Sequence, residues 1–409
     1  MPINLTPRRE LWLLITLAGI QFTHILDFMI MMPLGPQFTV LFGITDAQFG
    51  LLVSAYTLAG GVSGLLASSY VDKYDRKRLL LVLYTLFALA TLACGLAPGY
   101  SSLMVARIAA GVFGGVLSSL SQTIVGDVIP YERRGRAMGI VMTSFSVSTV
   151  AGVPIGLFLA AHLGWHAPFF GIAGLCLLLV VFAGLTLPAL NAHLALGTST
   201  SAWERIRITL VDGNHRRAFL MSGLLMFAGF TVIPYITIYA QTNVGLRTDQ
   251  IPYIYLLGGV ATLLTARWFG RLADRVGKFK TFRVMALAVV VPLVAITLVP
   301  EGYVWQMLCV STLMFMGMSG RMIPGMAILT SAGNPALRGT FMSLNSAVQS
   351  AAMGLAALVG GQVISRDAQG LVQHYWIAAL IGAVASVLSV VVAKGLDMHK
   401  GAVTVPPVN

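Results

Sequence analysis

Gly270-Arg271-Leu272-Ala273-Asp274-Arg275-Val276-Gly277-Lys278 is a short run of mixed basic and acidic residues set between two long apolar stretches. A related run, Ser68-Ser69-Tyr70-Val71-Asp72-Lys73-Tyr74-Asp75-Arg76-Lys77, holds the matching place in the first half, also between apolar stretches. Asp72 and Asp274 stand about half the chain length apart, and a polar hinge that recurs in this way between apolar runs indicates a duplicated membrane architecture.

Composition agrees. Hydrophobic residues make up 57% of the chain and charged residues 10%, against about 25% charged in an ordinary soluble domain. A helix crossing a bilayer needs about 20 mostly apolar residues. Twelve runs satisfy that length, at 12–36, 47–71, 79–98, 101–127, 137–161, 167–188, 218–242, 250–270, 282–300, 303–331, 339–364 and 372–394. The fold expected is an all-α membrane protein of twelve transmembrane helices in two six-helix bundles, spanning 1–188 and 217–409, joined by a linker at 189–216.

The net charge of +12 does not form a nucleic-acid patch, because the basic residues alternate with the spans. Arg8 and Arg9 precede the first. Lys73, Arg76, Lys77 and Arg78 follow the second, and Arg133, Arg134 and Arg136 follow the fourth. Arg205, Arg207, Arg216 and Arg217 follow the sixth, Arg271, Arg275, Lys278 and Lys280 the eighth, and Arg338 the tenth. The opposite loops carry little beyond Arg247 and Arg366. Positive loops stay on the cytoplasmic side, so both termini are expected there, with an even number of spans in the cytoplasmic membrane. The first span is too long for a removable leader and lacks a small-residue cleavage site. Within the linker, Trp203, Ile206 and Leu210 share a helical face, as in a helix lying on the membrane surface.

Charge inside a span is costly, about 2.5–3.5 kcal/mol for Asp or Arg at a helix centre. Asp27, Arg107 and Arg321 are the charges placed deep in the spans. Gln21, His24 and Asp27 repeat at three-residue spacing and so share one face of the first span. Asp27 can change charge: burial favours the neutral acid and a nearby Arg107 favours the carboxylate. Arg107 cannot deprotonate and suits a fixed counter-charge. These properties mark Asp27, His24 and Arg107 as proton-coupling candidates, His24 being either a relay or a neutral hydrogen-bonding ring. Arg321 lies beside Pro324 and Gly325, which loosen a helix; it suits either an anionic group on a substrate or backbone carbonyls. Tyr235 with Tyr239, and Asn345 with Gln349, are spaced by one turn and, with Gln21 and Arg321, are candidates for the wall of a polar cavity. Gly60, Gly64 and Ser68, Gly111 and Gly115, and Gly152 and Gly156 form small-residue stripes for close helix packing.

Cys94, Cys176 and Cys309 fall within spans, with neither disulfide nor metal-ligand spacing. No Gly-Lys-Ser/Thr phosphate loop or His-Glu-x-x-His pattern occurs. No enzymatic site, cofactor or metal is expected.

These motifs together resemble the major facilitator superfamily along essentially the whole chain. The family's hinge motif, Gly-x-x-x-Asp-Arg-x-Gly-Arg-Lys, is matched closely from Gly270 to Lys278, while Ser68, Lys73 and Asp75 replace its Gly, Arg and Gly in the first half. Arg107 and Gly111 meet the helix 4 pattern. Gly152-Val153-Pro154-Ile155-Gly156 is similar to the Gly-Pro antiporter motif of drug–proton exporters, with Val153 separating Gly from Pro, and Gly164-Trp165-His166-Ala167-Pro168-Phe169 fits the arabinose-efflux-permease-like subgroup. The resemblance implies pseudo-symmetric bundles, a central cavity and alternating access. It gives Asp72, Arg76, Gly270, Asp274, Arg275, Gly277, Gly152, Pro154 and Gly156 roles in conformational gating. The function expected is proton-coupled efflux of small organic molecules by a monomer in the lipid bilayer, with protons and a small-molecule substrate as partners. Alternatives are a facilitator or proton symporter for sugars or organic anions, and a sensor that no longer transports.

Overall fold

The computed structural model describes residues 7–71, 74–129, 137, 140, 141, 143–191, 202–334 and 337–398. The first half begins with α1 (Pro7–Ile30), a turn through Met31–Leu34, and the short α2 (Gly35–Leu41). Next comes α3 (Asp46–Tyr70), whose start is fixed by a capping box. The Gln48 amide donates to Thr45 Oγ1 (3.2 Å) and the Thr45 amide to Gln48 Oε1 (2.9 Å), which satisfies two of the free donors at a helix start. Asp75 caps α4 (Arg76–Gly95) by accepting from the Arg78 amide at 3.0 Å. α5 (Tyr100–Val128) follows, and then a π-helical turn (Ser148–Gly152) runs into α6 (Val153–Leu163) and on to α7 (Ala167–Thr186).

The second half repeats the plan. α8 (Ala202–Val211) precedes α9 (Gly213–Phe230), capped by Asp212, and a 3₁₀ turn (Ile233–Tyr235) leads to α10 (Ile236–Thr242). α11 (Ile251–Val276), α12 (Lys278–Ala288), α13 (Val290–Ala295), α14 (Val304–Ala332) and α15 (Arg338–Val363) follow. A two-stranded antiparallel hairpin, β1 (Ser365–Arg366) and β2 (Val372–Gln373), then leads to α16 (Tyr375–Lys394). In both halves the first long helix is interrupted, at Met31–Leu34 and at Thr231–Tyr235, before a short continuation.

Among the described residues, eleven helical segments are long and apolar enough to span a membrane, one fewer than the twelve read from the sequence. The eighth expected span exists as α11. Its 26 residues measure about 39 Å at 1.5 Å per residue, ample for a bilayer, but Pro252, Tyr253, Tyr255, Gly258, Gly259 and Arg267 dilute its apolar character. The protein is an all-α, multi-pass membrane protein.

We call the end where α1 starts and α16 stops the terminal end, and the opposite one the far end. Glycine sets the helix spacing. A Cβ on Gly115 would stand 2.5 Å from the Cα of Gly60, so α3 and α5 touch through their backbones. Between the halves, α3 runs against α15: a Cβ on Gly50 would lie 2.8 Å from the Ala357 carbonyl, and one on Gly61 3.2 Å from that of Ala347. Small residues permit this approach where apolar lipid supplies no drive for helices to associate. One continuous core joins the first half to the far-end part of the second, through Tyr235, Ile238, Tyr255 and Leu293; a separate cluster around Phe219, Phe282 and Phe341 fills the terminal-end part of the second half.

Within α8, Ile206 joins that separate cluster and Thr209 is also buried, while Trp203 and Leu210 are exposed. Cys94 and Cys176 are buried and Cys309 is exposed; all three are free thiols.

Candidate functional site

The polar stripe of α1 points into the first bundle. Asp27 is fully buried and so is Arg107, which α5 delivers from the opposite side. Arg107 Nη1 donates to Asp27 Oδ2 at 2.8 Å and to the Asp27 carbonyl oxygen at 3.2 Å. Gly111, four residues on, explains how α5 approaches so closely: a Cβ there would stand 2.9 Å from the Tyr56 Cα. The same approach lays the Arg107 guanidinium over the Tyr56 ring, 4.1 Å from its centroid. A cation over an aromatic face is held by about 0.5–2 kcal/mol.

The pair is held but not saturated. Asp27 Oδ1, Arg107 Nε and Arg107 Nη2 are buried without hydrogen-bond partners, and so are the hydroxyls of Tyr56 and Thr91. Buried polar atoms are nearly always satisfied, and a buried ion pair needs good geometry plus further hydrogen bonds to offset desolvation. The cluster therefore has spare donors and acceptors for further hydrogen bonds.

His24 sits beside the pair, half-buried, its ring 6.0 Å from that of Tyr56 and 5.9 Å from that of Phe87. Gly114 makes room for it: a Cβ there would fall 2.6 Å from His24 Cδ2 and 3.0 Å from Tyr56 Oη. Gln21 is buried one turn earlier with Oε1 unpartnered. Asp27, Arg107 and His24 are therefore brought together.

The second-half candidates are engaged within their own half. Among the described residues Arg321 is buried with no acid paired to it, donating through Nη1 to Ser386 Oγ (3.0 Å) and through Nη2 to the Leu225 carbonyl (3.1 Å), with Nε unpartnered. The Leu225 carbonyl is a backbone partner of the kind one of its two sequence readings named. Tyr235 ends the helix interruption as the N-cap of α10 and Tyr239 follows one turn into α10; they donate to the carbonyls of Ala357 (2.5 Å) and Val299 (3.0 Å). Gln349 Nε2 donates to Ser222 Oγ at 2.8 Å, while Asn345 is buried with Oδ1 free.

Of the gating candidates, Asp72 lies outside the described residues. Arg76 is buried and donates to the Val71 carbonyl at 3.2 Å. Asp274 and Arg275 are exposed on the last turn of α11, and Gly277 ends that helix at φ +106, a conformation that favours glycine. Gly270 has open space where a Cβ would go. Gly152 closes the π-helical turn and Pro154 lies in the first turn of α6, so the antiporter-like motif coincides with an irregular stretch of helix, where π-bulges often mark function. Gly152 and Gly156 pack on Leu26 and Ile30 of α1. Val150, in the same turn, meets Gly259 of the other half: a Cβ on Gly259 would be 3.2 Å from its Cα.

The far end holds a contact that the sequence reading missed. Arg366, on the hairpin, grips Asp46, the first residue of α3, with two parallel bonds: Nε to Oδ2 and Nη2 to Oδ1, both 2.8 Å. These hydrogen bonds hold the Arg366 guanidinium above its ordinary pKa. Asn243 clamps the hairpin by donating to the Val372 carbonyl and accepting from its amide, both at 2.9 Å. Beside the pair lies a groove of about 540 Å³ lined by Gln37, Trp165, Gln241 and Arg366. Arg267, exposed two-thirds of the way along α11, was also not counted among the span charges. Tyr56 had a sequence signal: it extends the Gly60–Gly64 stripe one turn toward the helix start. Asp46 and Arg366 had another, as charges at an end otherwise almost bare.

Two duplicated six-helix bundles with a buried, incompletely satisfied ion pair define a membrane transporter rather than an enzyme. The chain belongs to the Major Facilitator Superfamily, whose sequence profile matches residues 17–357. It is similar to two proteins of Bacillus subtilis (strain 168). One is "Uncharacterized MFS-type transporter YtbD", 26% identical over 340 residues, covering 82% of this chain and 84% of the relative. The other is "Uncharacterized MFS-type transporter YbcL", 25% identical over 353 residues, covering 85% and 87%. In fold it is similar to a D-xylose–proton symporter (TM-score 0.76, 17% identity, 96% of this chain and 98% of that one). It is also similar to a bacterial homologue of the human lysosomal transporter Spinster, solved inward-facing and unoccupied (TM-score 0.74, 15% identity, the same coverage).

Proposed function

We propose that this secondary transporter couples the export of small organic molecules to inward movement of protons, working as a monomer in the cytoplasmic membrane with its terminal end in the cytoplasm. The carrying observation is the fully buried Asp27–Arg107 pair, joined at 2.8 Å with one carboxylate oxygen and two guanidinium nitrogens unpartnered. Asp27 is the group that changes charge and Arg107 the fixed counter-charge; His24, half-buried beside them, relays the proton. The antiporter-like motif at Gly152–Gly156, set on a π-helical turn that meets α11 of the other half, supports exchange. The Asp46–Arg366 pair closes the far end, and it is the contact that breaks when the transporter opens outward. Asp72, Arg76, Asp274 and Arg275 gate the terminal end, and Gln21, Asn345, Gln349, Tyr235, Tyr239 and Arg321 supply polar groups to the substrate path as the halves rock.

A second reading, proton symport of sugars or organic anions, is favoured by one observation. The unpartnered atoms of Arg107 and Arg321 are donors, which suit a substrate rich in acceptors.

Asp27→Asn tests the first reading. It should abolish uphill, gradient-driven export from reconstituted vesicles while sparing downhill substrate exchange. Uphill export at the wild-type rate would remove Asp27 from the coupling step.

A further inference from the structure

The Asp27–Arg107 pair is enclosed in the first half, yet a proton bound there must alter how the two halves sit. Three aromatic rings span the interval. Tyr56, buried under the Arg107 guanidinium, stacks on Phe28 with centroids 5.6 Å apart and planes inclined by 20°. Phe28 directly follows Asp27 in the chain. Its ring also stacks on Phe230 of the second half, at 5.9 Å and 29°.

Phe28 and Phe230 hold equivalent places in the two bundles. α1 ends two residues after Phe28, and α9 ends at Phe230, each at the interruption before its short continuation. Beyond the stacked rings, α2 and α10 meet across the halves: a Cβ on Gly35 would stand 3.2 Å from Ile238 Cδ1. The ring contact thus sits where each leading helix is least constrained by its own hydrogen-bond ladder and where the halves touch.

We propose that Tyr56, Phe28 and Phe230 are positioning residues that transmit the charge state of the Asp27–Arg107 pair to the contact between the halves; this rests on the reading that Asp27 titrates. While Asp27 is ionised, its carboxylate holds Arg107 Nη1. Once it is protonated, that attraction drops, and the guanidinium is held by the Asp27 carbonyl and the face of Tyr56. A guanidinium that resettles on Tyr56 displaces that ring against Phe28, and Phe28 against Phe230. The ring carries the effect rather than the hydroxyl, because Tyr56 Oη is buried with no hydrogen-bond partner. Tyr56→Phe should therefore be silent and Tyr56→Leu should not.

The test needs no substrate. Spin labels go on Val40→Cys and Trp305→Cys, exposed far-end positions in different halves, with Cys309→Ser; the remaining Cys94 and Cys176 are buried. Distances between the labels are recorded for the full chain in nanodiscs at mildly acidic and mildly alkaline pH. Wild type should show two populations whose ratio changes about tenfold between the conditions, within the usual range of coupling. Tyr56→Phe should match it. Tyr56→Leu and Phe230→Leu should keep both populations, which shows that they fold, with a pH response under about twofold. A wild-type response in both Leu variants, together with its loss in Asp27→Asn, overturns the linkage and leaves Asp27 as the titrating group. A response that survives in Asp27→Asn, or is missing from wild type, overturns both.

Discussion

Removing the Arg366 guanidinium should open the far end. In Arg366→Gln the hairpin stays in place, since Asn243 and Asp367 hold it: Asp367 accepts from the amides of Gln369 and Leu371, and Asn243 pairs with Val372. What goes is the bidentate contact with Asp46, two bonds of 2.8 Å linking residues of different halves. Asp46 is 4% exposed and the Arg366 side chain 32%, so the pair lies between a surface salt bridge, worth about 0–1 kcal/mol, and a desolvated charge pair, whose truncation costs about 2–5 kcal/mol. A loss of about 1–2 kcal/mol follows, which changes the open-to-closed ratio by about 5–30-fold. The assay is the alkylation rate of Ala357→Cys, a fully buried site where α15 meets Gly50, by a membrane-impermeant maleimide in nanodiscs, with Cys309→Ser. The rate should rise by that factor in Arg366→Gln and fall back in the charge-swapped pair Asp46→Arg with Arg366→Asp. Added salt should speed wild type and leave Arg366→Gln nearly unchanged, because screening weakens the partly exposed pair. An Arg366→Gln rate within about twofold of wild type would refute the far-end lock, since 1 kcal/mol already gives about fivefold.

Other perturbations follow from the same geometry. Gly115→Val should cost about 2 kcal/mol or more by forcing α5 off the Gly60 backbone, read as a lower thermal midpoint in detergent; an unchanged midpoint would mean the two helices are not in backbone contact. Arg321→Ala should cost about 2–3 kcal/mol, because it strips the Leu225 carbonyl and Ser386 of a buried charged donor, and Arg321→Lys should recover only part of it. Full stability of the Ala variant would mean that the cation has no structural part.

The sequence disclosed the fold readily because its signals are additive. Apolar runs of spanning length, basic loops on alternate connections and the repeated hinge each bear on the same twelve-helix plan. Only α11 fell short in composition: Gly258 and Tyr255 meet Phe315 of α14, Gly259 meets Val150 of the other half, and Arg267 adds an exposed charge. The site was legible to the extent that it lay on one helix or rested on cost. Gln21, His24 and Asp27 share a face by spacing, and Arg107 stood out because an unpaired span charge is expensive. That Arg107 would reach Asp27 depends on Gly111 and Gly115 lowering α5 onto α3, a distance that no local pattern encodes. The Asp46–Arg366 contact joins residues 320 positions apart, and the ring stack joins α1, α3 and α9; both arise only once the halves are packed. Tyr235 and Tyr239 were legible as a pair by spacing, Tyr235 standing at the N-cap of α10 and Tyr239 one turn into it, but their carbonyl partners, Ala357 and Val299, lie far away in sequence.

The central claim is that Asp27 carries the coupled proton. The most direct test is substrate-induced proton movement across sealed proteoliposomes, followed with a pH-sensitive dye and a panel of lipophilic cations, sugars and organic acids, comparing wild type with Asp27→Asn. The account predicts a proton signal with at least one compound in wild type and none with that compound in Asp27→Asn, although exchange of the compound continues. A proton signal of equal size in Asp27→Asn would contradict it.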